Sequence, residues 1–262
     1  MSYQKINIAG FRFRLSSDFP AGGGFAGDYN VPIADGQRSS FARLSSSKFA
    51  RVFKFDIIFK GKIYGLILKQ YLNRGLSDVL KNFLLPCRAQ RAFKAGLMLK
   101  KNGFLTPEIA AMGEKIFAAN FLVTAEVKNA VSLPELLNKS MPEKHQLVRQ
   151  FAQTVGKMHD KNIFHGDLRL GNVLVKSADS KFDFYFLDNE RTKKFRKLPD
   201  RLRLKNLVQI NMFRENISNS DRMRFFKEYL KQQNVKLNAG DFAARIITRT
   251  SERLAAKEIR TA

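Results

Sequence analysis

Asp167, Arg169, Asn172 and Asp188 are the side chains whose types and spacing could do chemistry. Asp167 stands five residues before the carboxamide of Asn172, and the second carboxylate, Asp188, follows the next apolar run. One carboxylate to take a proton and two more oxygen-bearing side chains to hold a cation form a minimal set for phosphoryl transfer. Magnesium takes oxygen ligands and keeps some of its water, so a carboxylate and a carboxamide suffice. In this reading Asp167 accepts the proton of an incoming hydroxyl, Arg169 faces the transferring phosphate, and Asn172 and Asp188 hold Mg2+. An isolated Asp-x4-Asn in a loop more often caps a turn. Here it sits in His165-Gly166-Asp167-Leu168-x3-Asn172-Val173-Leu174-Val175, behind a helical pattern and ahead of a hairpin that carries the second Asp.

The elements that must position these groups can be read from periodicity. Arg51–Phe59 and Ile63–Tyr71 predict a hairpin, with Lys60-Gly61-Lys62 as its turn. Side chains repeat every two residues along a strand, so Ile63, Gly65, Ile67 and Lys69 share one face. Cys87–Asn102 reads as a helix, with Ala89, Phe93 and Leu97 four apart and Gly103 stopping it. Ile116–Val127 reads as another strand pair. Ser140-Met141-Pro142-Glu143 has the spacing of a capping box. Leu147, Phe151, Val155 and Met158 then give a helix its buried face. Strands are expected at Val173–Lys176 and Phe182–Leu187, and helices at Leu207–Phe213, Asp221–Gln232 and Ala239–Glu258. Residues 1–48 carry little pattern beyond the alternation of Phe11–Leu15, and Gly22-Gly23-Gly24 reads as a plain loop. The expected class is α+β: an antiparallel sheet lobe with one main helix over 1–126, and a mainly helical lobe over 127–262.

Composition narrows the function classes. An apolar content of 44% can fill a core and argues against global disorder. A lone Cys87 excludes an internal disulfide and fits a reducing compartment. No signal-peptide core or membrane-spanning run is expected, and no histidine cluster suits zinc. The formal charge of +24 favours anionic partners. The densest cationic run, Arg191–Lys205, holds eight Lys/Arg against one acid and follows Asp188 directly. His165 is expected to pin the loop, through its backbone or the segment holding Asp188, and His159 to pack beneath it.

On these residues the chain resembles the protein-kinase superfamily. More narrowly it resembles the bacterial lipopolysaccharide core kinases, a family of Kdo kinases and core heptose kinases. The matching text is Ile67-Leu68-Lys69, Arg88-Ala89-Gln90-Arg91-Ala92-Phe93, Gly103-Phe104-Leu105-Thr106-Pro107, the 165–175 stretch, Leu187-Asp188-Asn189-Glu190-Arg191, Asn206-Leu207 and Asp221–Phe226. The resemblance implies a bilobal kinase-like fold using ATP and Mg2+. It implies Lys69 on the nucleotide phosphates and Ser46, Ser47 and Lys48 in the phosphate-covering loop. It also implies Ile67, Glu126 and Val127 around the adenine, with the Val127 main chain at the hinge. Asp167 is then the base, and Asn172 and Asp188 the metal ligands. The acceptor implied is an anionic sugar-lipid of the lipopolysaccharide inner core, met by a cytoplasmic enzyme peripheral to the inner membrane, with no nucleic-acid partner.

The sequence departs from the superfamily pattern in three places. Serines replace the Gly-rich loop, the 87–102 helix offers no Glu to Lys69, and Asn189-Glu190 follows Asp188 where Phe-Gly is usual. The alternatives are an atypical Ser/Thr protein kinase, a small-molecule phosphotransferase, and a basic membrane- or nucleic-acid-binding pseudokinase. Cationic small-molecule acceptors fit a chain of +24 poorly.

Overall fold

The computed structural model describes residues 2–8, 11–17, 42–46, 49–59, 62–72, 86–114, 120–178, 181–234 and 238–259. The chain divides into two compact units. One comprises residues 1–96 and 107–128, the other residues 97–106 and 129–262.

The first unit is built on an antiparallel sheet. Its strands are β1 (Tyr3–Ile8), β2 (Phe11–Ser16), β3 (Ala42–Leu44), β4 (Ala50–Phe59), β5 (Lys62–Tyr71), β6 (Ile109–Glu114) and β7 (Asn120–Ala125). They lie in the order β1-β2-β6-β7-β5-β4-β3. The alternation read from the sequence decides which face is covered. Leu66 and Leu68 of β5 pack with Phe13, Leu15, Phe121 and Val123, and with Phe53 and Phe55 of β4. Ile67 and Lys69 therefore stand on the other face. There the register sets Lys69 opposite Val52 and Leu122, and Ile67 opposite Lys54 and Thr124. Helix α1 (Arg88–Lys101) begins in this unit, where Phe93 meets the ring of Tyr3 edge-on at 4.8 Å and Asn120 Oδ1 accepts from the Ala89 N–H at 3.0 Å.

Two expectations change here. Of the stretch Ile116–Val127, expected to be a strand pair, the described residues hold one strand, β7, whose partner is β6, upstream at Ile109–Glu114. The short run Ile109-Ala110-Ala111-Met112 is almost wholly buried, so it carries no alternation to reveal it. In the N-terminal stretch β1 pairs with β2 along its whole length, from Tyr3 opposite Ser16 to Ile8 opposite Phe11.

The second unit is mainly helical. It comprises β8 (Val131–Ser132), α2 (Leu133–Asn138), α3 (Lys144–Asp160), β9 (Ile163–Phe164), the hairpin β10 (Val173–Ala178) and β11 (Lys181–Phe186), β12 (Lys193–Lys194), α4 (Asp200–Asn211), α5 (Asn219–Leu230) and α6 (Ala239–Glu258). The face predicted for α3 is the buried one: Leu147, Phe151, Val155 and Met158 sit in one core with Phe184, Phe186, Leu207 and Tyr229. The capping box expected at Ser140–Glu143 does not form. Glu143 occupies the N-cap of α3 without a side-chain cap bond. The box occurs instead at α5, where Ser218 and Asp221 cap each other. The helix expected from Leu207 starts earlier, at Asp200, so the cationic run ends inside α4. Arg203 of that run is 2% exposed and faces Asp200 at 3.6 Å, which removes it from the basic surface. No helix among the described residues is long and apolar enough to cross a membrane.

Candidate active site

In the second unit the sequence folds Asp167 into a loop tied to β12, to the turn before β10 and to the segment before Asp188. β9 enters the loop and pairs with β12, setting Phe164 opposite Lys193. A 3-10 turn at Leu170–Asn172 leaves it for β10. The Asn172 Nδ2 amide donates to the Asp167 carbonyl at 2.9 Å. The Leu187 N–H donates to the Asn172 carbonyl at 2.8 Å. The residue before Asp188 is thus tied to Asn172, and Asn172 to Asp167.

Asp188 adopts the left-handed conformation, φ 55° and ψ 48°, and leads into a 3-10 turn at Asn189–Arg191. Asp tolerates that region better than most side chains. Gly166 answers a different demand. A Cβ there would lie 2.6 Å from the Arg191 carbonyl carbon and 2.7 Å from its oxygen, so a side chain would meet main chain.

His165 is the pin the sequence suggested. The Asp167 N–H donates to its Nδ1 at 3.3 Å, so Nε2 carries the proton and donates to the Leu187 carbonyl at 3.1 Å. Burial pulls the pKa of this imidazole down, and the neutral tautomer joins the loop at Asp167 to the segment before Asp188. His159 lies beneath it, as expected. Its Nε2 faces Asn206 Oδ1 at 3.1 Å and its Nδ1 faces the Tyr229 hydroxyl at 2.9 Å. Burial lowers its pKa to about 4, while the bond to Asn206 opposes that shift.

Asn206 and Gln209, one turn apart on α4, were not singled out as site residues. Asn206 clamps His165 by accepting from its N–H at 3.2 Å and donating to its carbonyl at 2.6 Å. Gln209 donates from Nε2 to Asp167 Oδ1 at 3.1 Å. The available signal was two amides at i and i+3 on one helical face.

Arg169, expected to face the transferring phosphate, sets its Nε 3.0 Å from Asp167 Oδ1. Its side chain is 70% exposed, which leaves it room to turn. Among the described residues no protein group bonds Asn172 Oδ1. With the carboxylate of Asp188 on the neighbouring turn, the donor set is all oxygen and lacks nitrogen or sulfur. That set fits a hard cation retaining several waters, as Mg2+ does. No group of three or more His, Cys, Asp or Glu able to hold a metal occurs among the described residues.

In the first unit Ile67 and Lys69 lie on the sheet face away from the core. Lys69 is half-buried, with Nζ 5.3 Å from the Tyr71 ring centroid. Glu126 folds its carboxylate over Gly65 and pairs with Lys54. That hydrogen bond raises the Lys54 pKa. The side chain of Glu126 is thereby committed within the sheet, and its N–H donates to the Gly65 carbonyl at 2.9 Å. Val127 follows half-buried, and no group among the described residues bonds its main chain. Ser46 is exposed and donates from Oγ to the Ala50 carbonyl at 3.0 Å. Ser47 and Lys48 lie outside the described residues.

A separate cavity of about 430 Å3 lies in the second unit. Leu147, Phe151, Ile210, Phe226 and Ile246 are among its walls. Met223 and Ile247, which also line it, are 50% and 62% exposed. It contains none of the catalytic or metal candidates.

Comparison with known proteins gives this arrangement its relatives. The 3-deoxy-D-manno-octulosonic acid kinases of two Haemophilus influenzae strains are each 27% identical over 169 residues, 61% of this chain. The chain spans 66% of the length of those kinases. The Bud32 subunit of the Pyrococcus abyssi KEOPS complex is 28% identical over 108 residues, 40% of this chain and 46% of that protein. Among solved structures, WaaP in complex with acyl carrier protein superposes with a TM-score of 0.61 at 20% identity, covering 80% of this chain and 87% of that one. The kinase-like fold is thus shared. The Lipopolysaccharide kinase (Kdo/WaaP) family matches residues 55–229, more than half of the chain. The chain belongs to the lipopolysaccharide kinase (Kdo/WaaP) family.

Proposed function

We propose that this chain is an ATP-dependent kinase that phosphorylates a sugar hydroxyl, Kdo or heptose, of an anionic lipopolysaccharide inner-core acceptor. The observation that carries the reading is the bonded series Asp167–Asn172–Leu187, which ties a candidate base to both candidate metal ligands. Asp167 takes the hydroxyl proton. Asn172 and Asp188 would hold Mg2+, which supplies charge neutralisation for the phosphates. Lys69 contacts the nucleotide phosphates, Ser46, Ser47 and Lys48 belong to the loop over them, and Ile67 with the Glu126–Val127 main chain receives the adenine. Arg169 turns from Asp167 toward the phosphoryl group during transfer.

Charge supports the acceptor class. Arg191, Lys193, Lys194, Arg196, Lys197, Arg201 and Lys205 are all exposed on the segment leaving Asp188. They form a basic face for an anionic sugar-lipid, and with it a peripheral contact with the cytoplasmic side of the inner membrane.

The test incubates the chain with γ-labelled ATP, Mg2+ and separate acceptors: Kdo-bearing core, heptose-bearing core, a basic protein and an aminoglycoside. Label on one of the two core acceptors is expected, and which one it is decides the sugar. Label confined to the protein or the aminoglycoside refutes the acceptor assignment. No label on any of them, with an unchanged ATP pool, refutes the kinase reading.

The apolar cavity favours a second partner. WaaP was solved with acyl carrier protein, and we infer that this chain engages such a carrier, with the cavity of about 430 Å3 taking its acyl chain. Acylated carrier protein should bind more tightly than the same carrier without its acyl group, and Ile246→Trp should remove the difference. Equal affinities for the two forms would refute it.

A further inference from the structure

We propose that Gln209 is a positioning residue for the base, holding one oxygen of Asp167 so that the other is the proton acceptor. This rests on Asp167 being the base and extends that reading to a side chain on another element. The orientation of the Gln209 amide is fixed by its neighbours. Its Oε1 accepts from the Leu168 N–H at 3.2 Å and from Asn206 Nδ2 at 2.9 Å. Both are donors, so the remaining Nε2 must donate, and it reaches Asp167 Oδ1 at 3.1 Å.

The same logic runs backwards along the network. Asn206 donates from Nδ2, so its Oδ1 accepts from His159 Nε2. His159 Nδ1 must then accept from the Tyr229 hydroxyl. Every step from Tyr229 through His159, Asn206 and Gln209 donates toward Asp167. Gln209, Asn206, His159 and Tyr229 are all buried, where a bond in low dielectric is stronger and a mismatched one costlier.

Asp167 Oδ1 thus receives Gln209 from below and the exposed Arg169 from outside. No donor among the described residues reaches Oδ2. When Arg169 turns away, Gln209 alone keeps the carboxylate plane fixed and Oδ2 presented. A merely structural Gln209 would need only its two accepted bonds, to Leu168 and Asn206.

Gln209→Glu separates the two roles. It preserves the accepting oxygen and replaces the donor with a second oxygen beside Asp167. Two carboxylates at that distance repel, and the buried donor to Oδ1 is gone. The experiment uses the full chain at one fixed pH. Carboxyl carbon NMR follows the Asp167 signal in the nucleotide- and metal-free protein, assigned by the signal lost in Asp167→Asn. In parallel, kcat and KM are measured with ATP, Mg2+ and the Kdo-bearing core. Gln209→Glu should move the Asp167 signal and lower kcat about tenfold or more, leaving KM for ATP within about twofold. A signal and a kcat that both match the parent chain overturn the proposal.

Gln209→Ala guards against a variant that fails to fold. It should lower kcat about tenfold at unchanged KM, and an unchanged kcat overturns the proposal. A moved Asp167 signal in a chain that labels no acceptor refutes the kinase reading, and the positioning role falls with it although the contact between Gln209 and Asp167 stands. Activity that survives Asp167→Asn removes the base and the positioning role with it.

Discussion

The loop around Asp167 and the sheet face around Lys69 present polar side chains in opposite ways. In the loop His159, His165, Asn206 and Gln209 are buried and partnered with one another, and each bond fixes the tautomer or amide orientation of the next. On the sheet face Lys54 and Glu126 form a half-exposed pair, with side chains 40% and 30% exposed, and Lys69 lies over an aromatic ring. A base, the role proposed for Asp167, must hold its geometry to fractions of an ångström to act. A nucleotide-binding face, the role proposed for the sheet around Lys69, can tolerate pairwise contacts that water screens. The sheet should therefore absorb substitutions that the loop cannot.

The largest expected effect breaks the buried side of that contrast. Asn206→Ala leaves the His165 N–H and carbonyl and the His159 Nε2–H without their partner. At about 1–3 kcal/mol for each buried group left unpaired, the variant should lose roughly 3 kcal/mol or more, visible as a lower urea midpoint. A loss below about 1 kcal/mol would mean that the network is loosely made.

Acid sharpens the same contrast without mutation. The folded pKa of His159 lies near 4, against an ordinary 6.5, so the unfolded chain binds the extra proton between those values. Stability should be fully present above about pH 6.5 and decline as pH falls toward 4. The decline from this residue is at most roughly 3 kcal/mol, and His165, shifted in the same direction, adds to it. Denaturant unfolding at pH 7 and pH 5 checks the sign, and His159→Gln should flatten the slope.

The smallest effect belongs to the sheet. Lys54→Ala removes a pair that is substantially solvated, so it should cost about 1 kcal/mol or less. A urea midpoint lowered as far as that of Asn206→Ala would erase the distinction between the two regions.

Much of this arrangement was legible because it obeys a period. The β4–β5 alternation fixes which face carries Ile67 and Lys69, and the four-residue spacing in α3 fixes its buried side. His165 was legible as a pin because a histidine beside Asp167 in an apolar stretch needs polar partners, and the main chain of the loop and of the segment before Asp188 offers them. The buried amides of α4 were not. A Gln or Asn within a helix reads as a surface residue until tertiary contacts set a main chain against it. Gly166 was visible as a residue but not as a requirement, because the constraint comes from Arg191, far along the chain. The capping box shows the reverse error: Ser140 and Glu143 have the spacing, yet the chain starts α3 without using it.

The proposed base of the phosphoryl transfer is Asp167. The most direct measurement is single-turnover transfer of labelled phosphate from ATP to the lipopolysaccharide core acceptor, comparing the parent chain with Asp167→Asn at matched folding stability. The expected rate for Asp167→Asn is lower by roughly two to four orders of magnitude, with ATP affinity retained. A rate within a few-fold of the parent would contradict it.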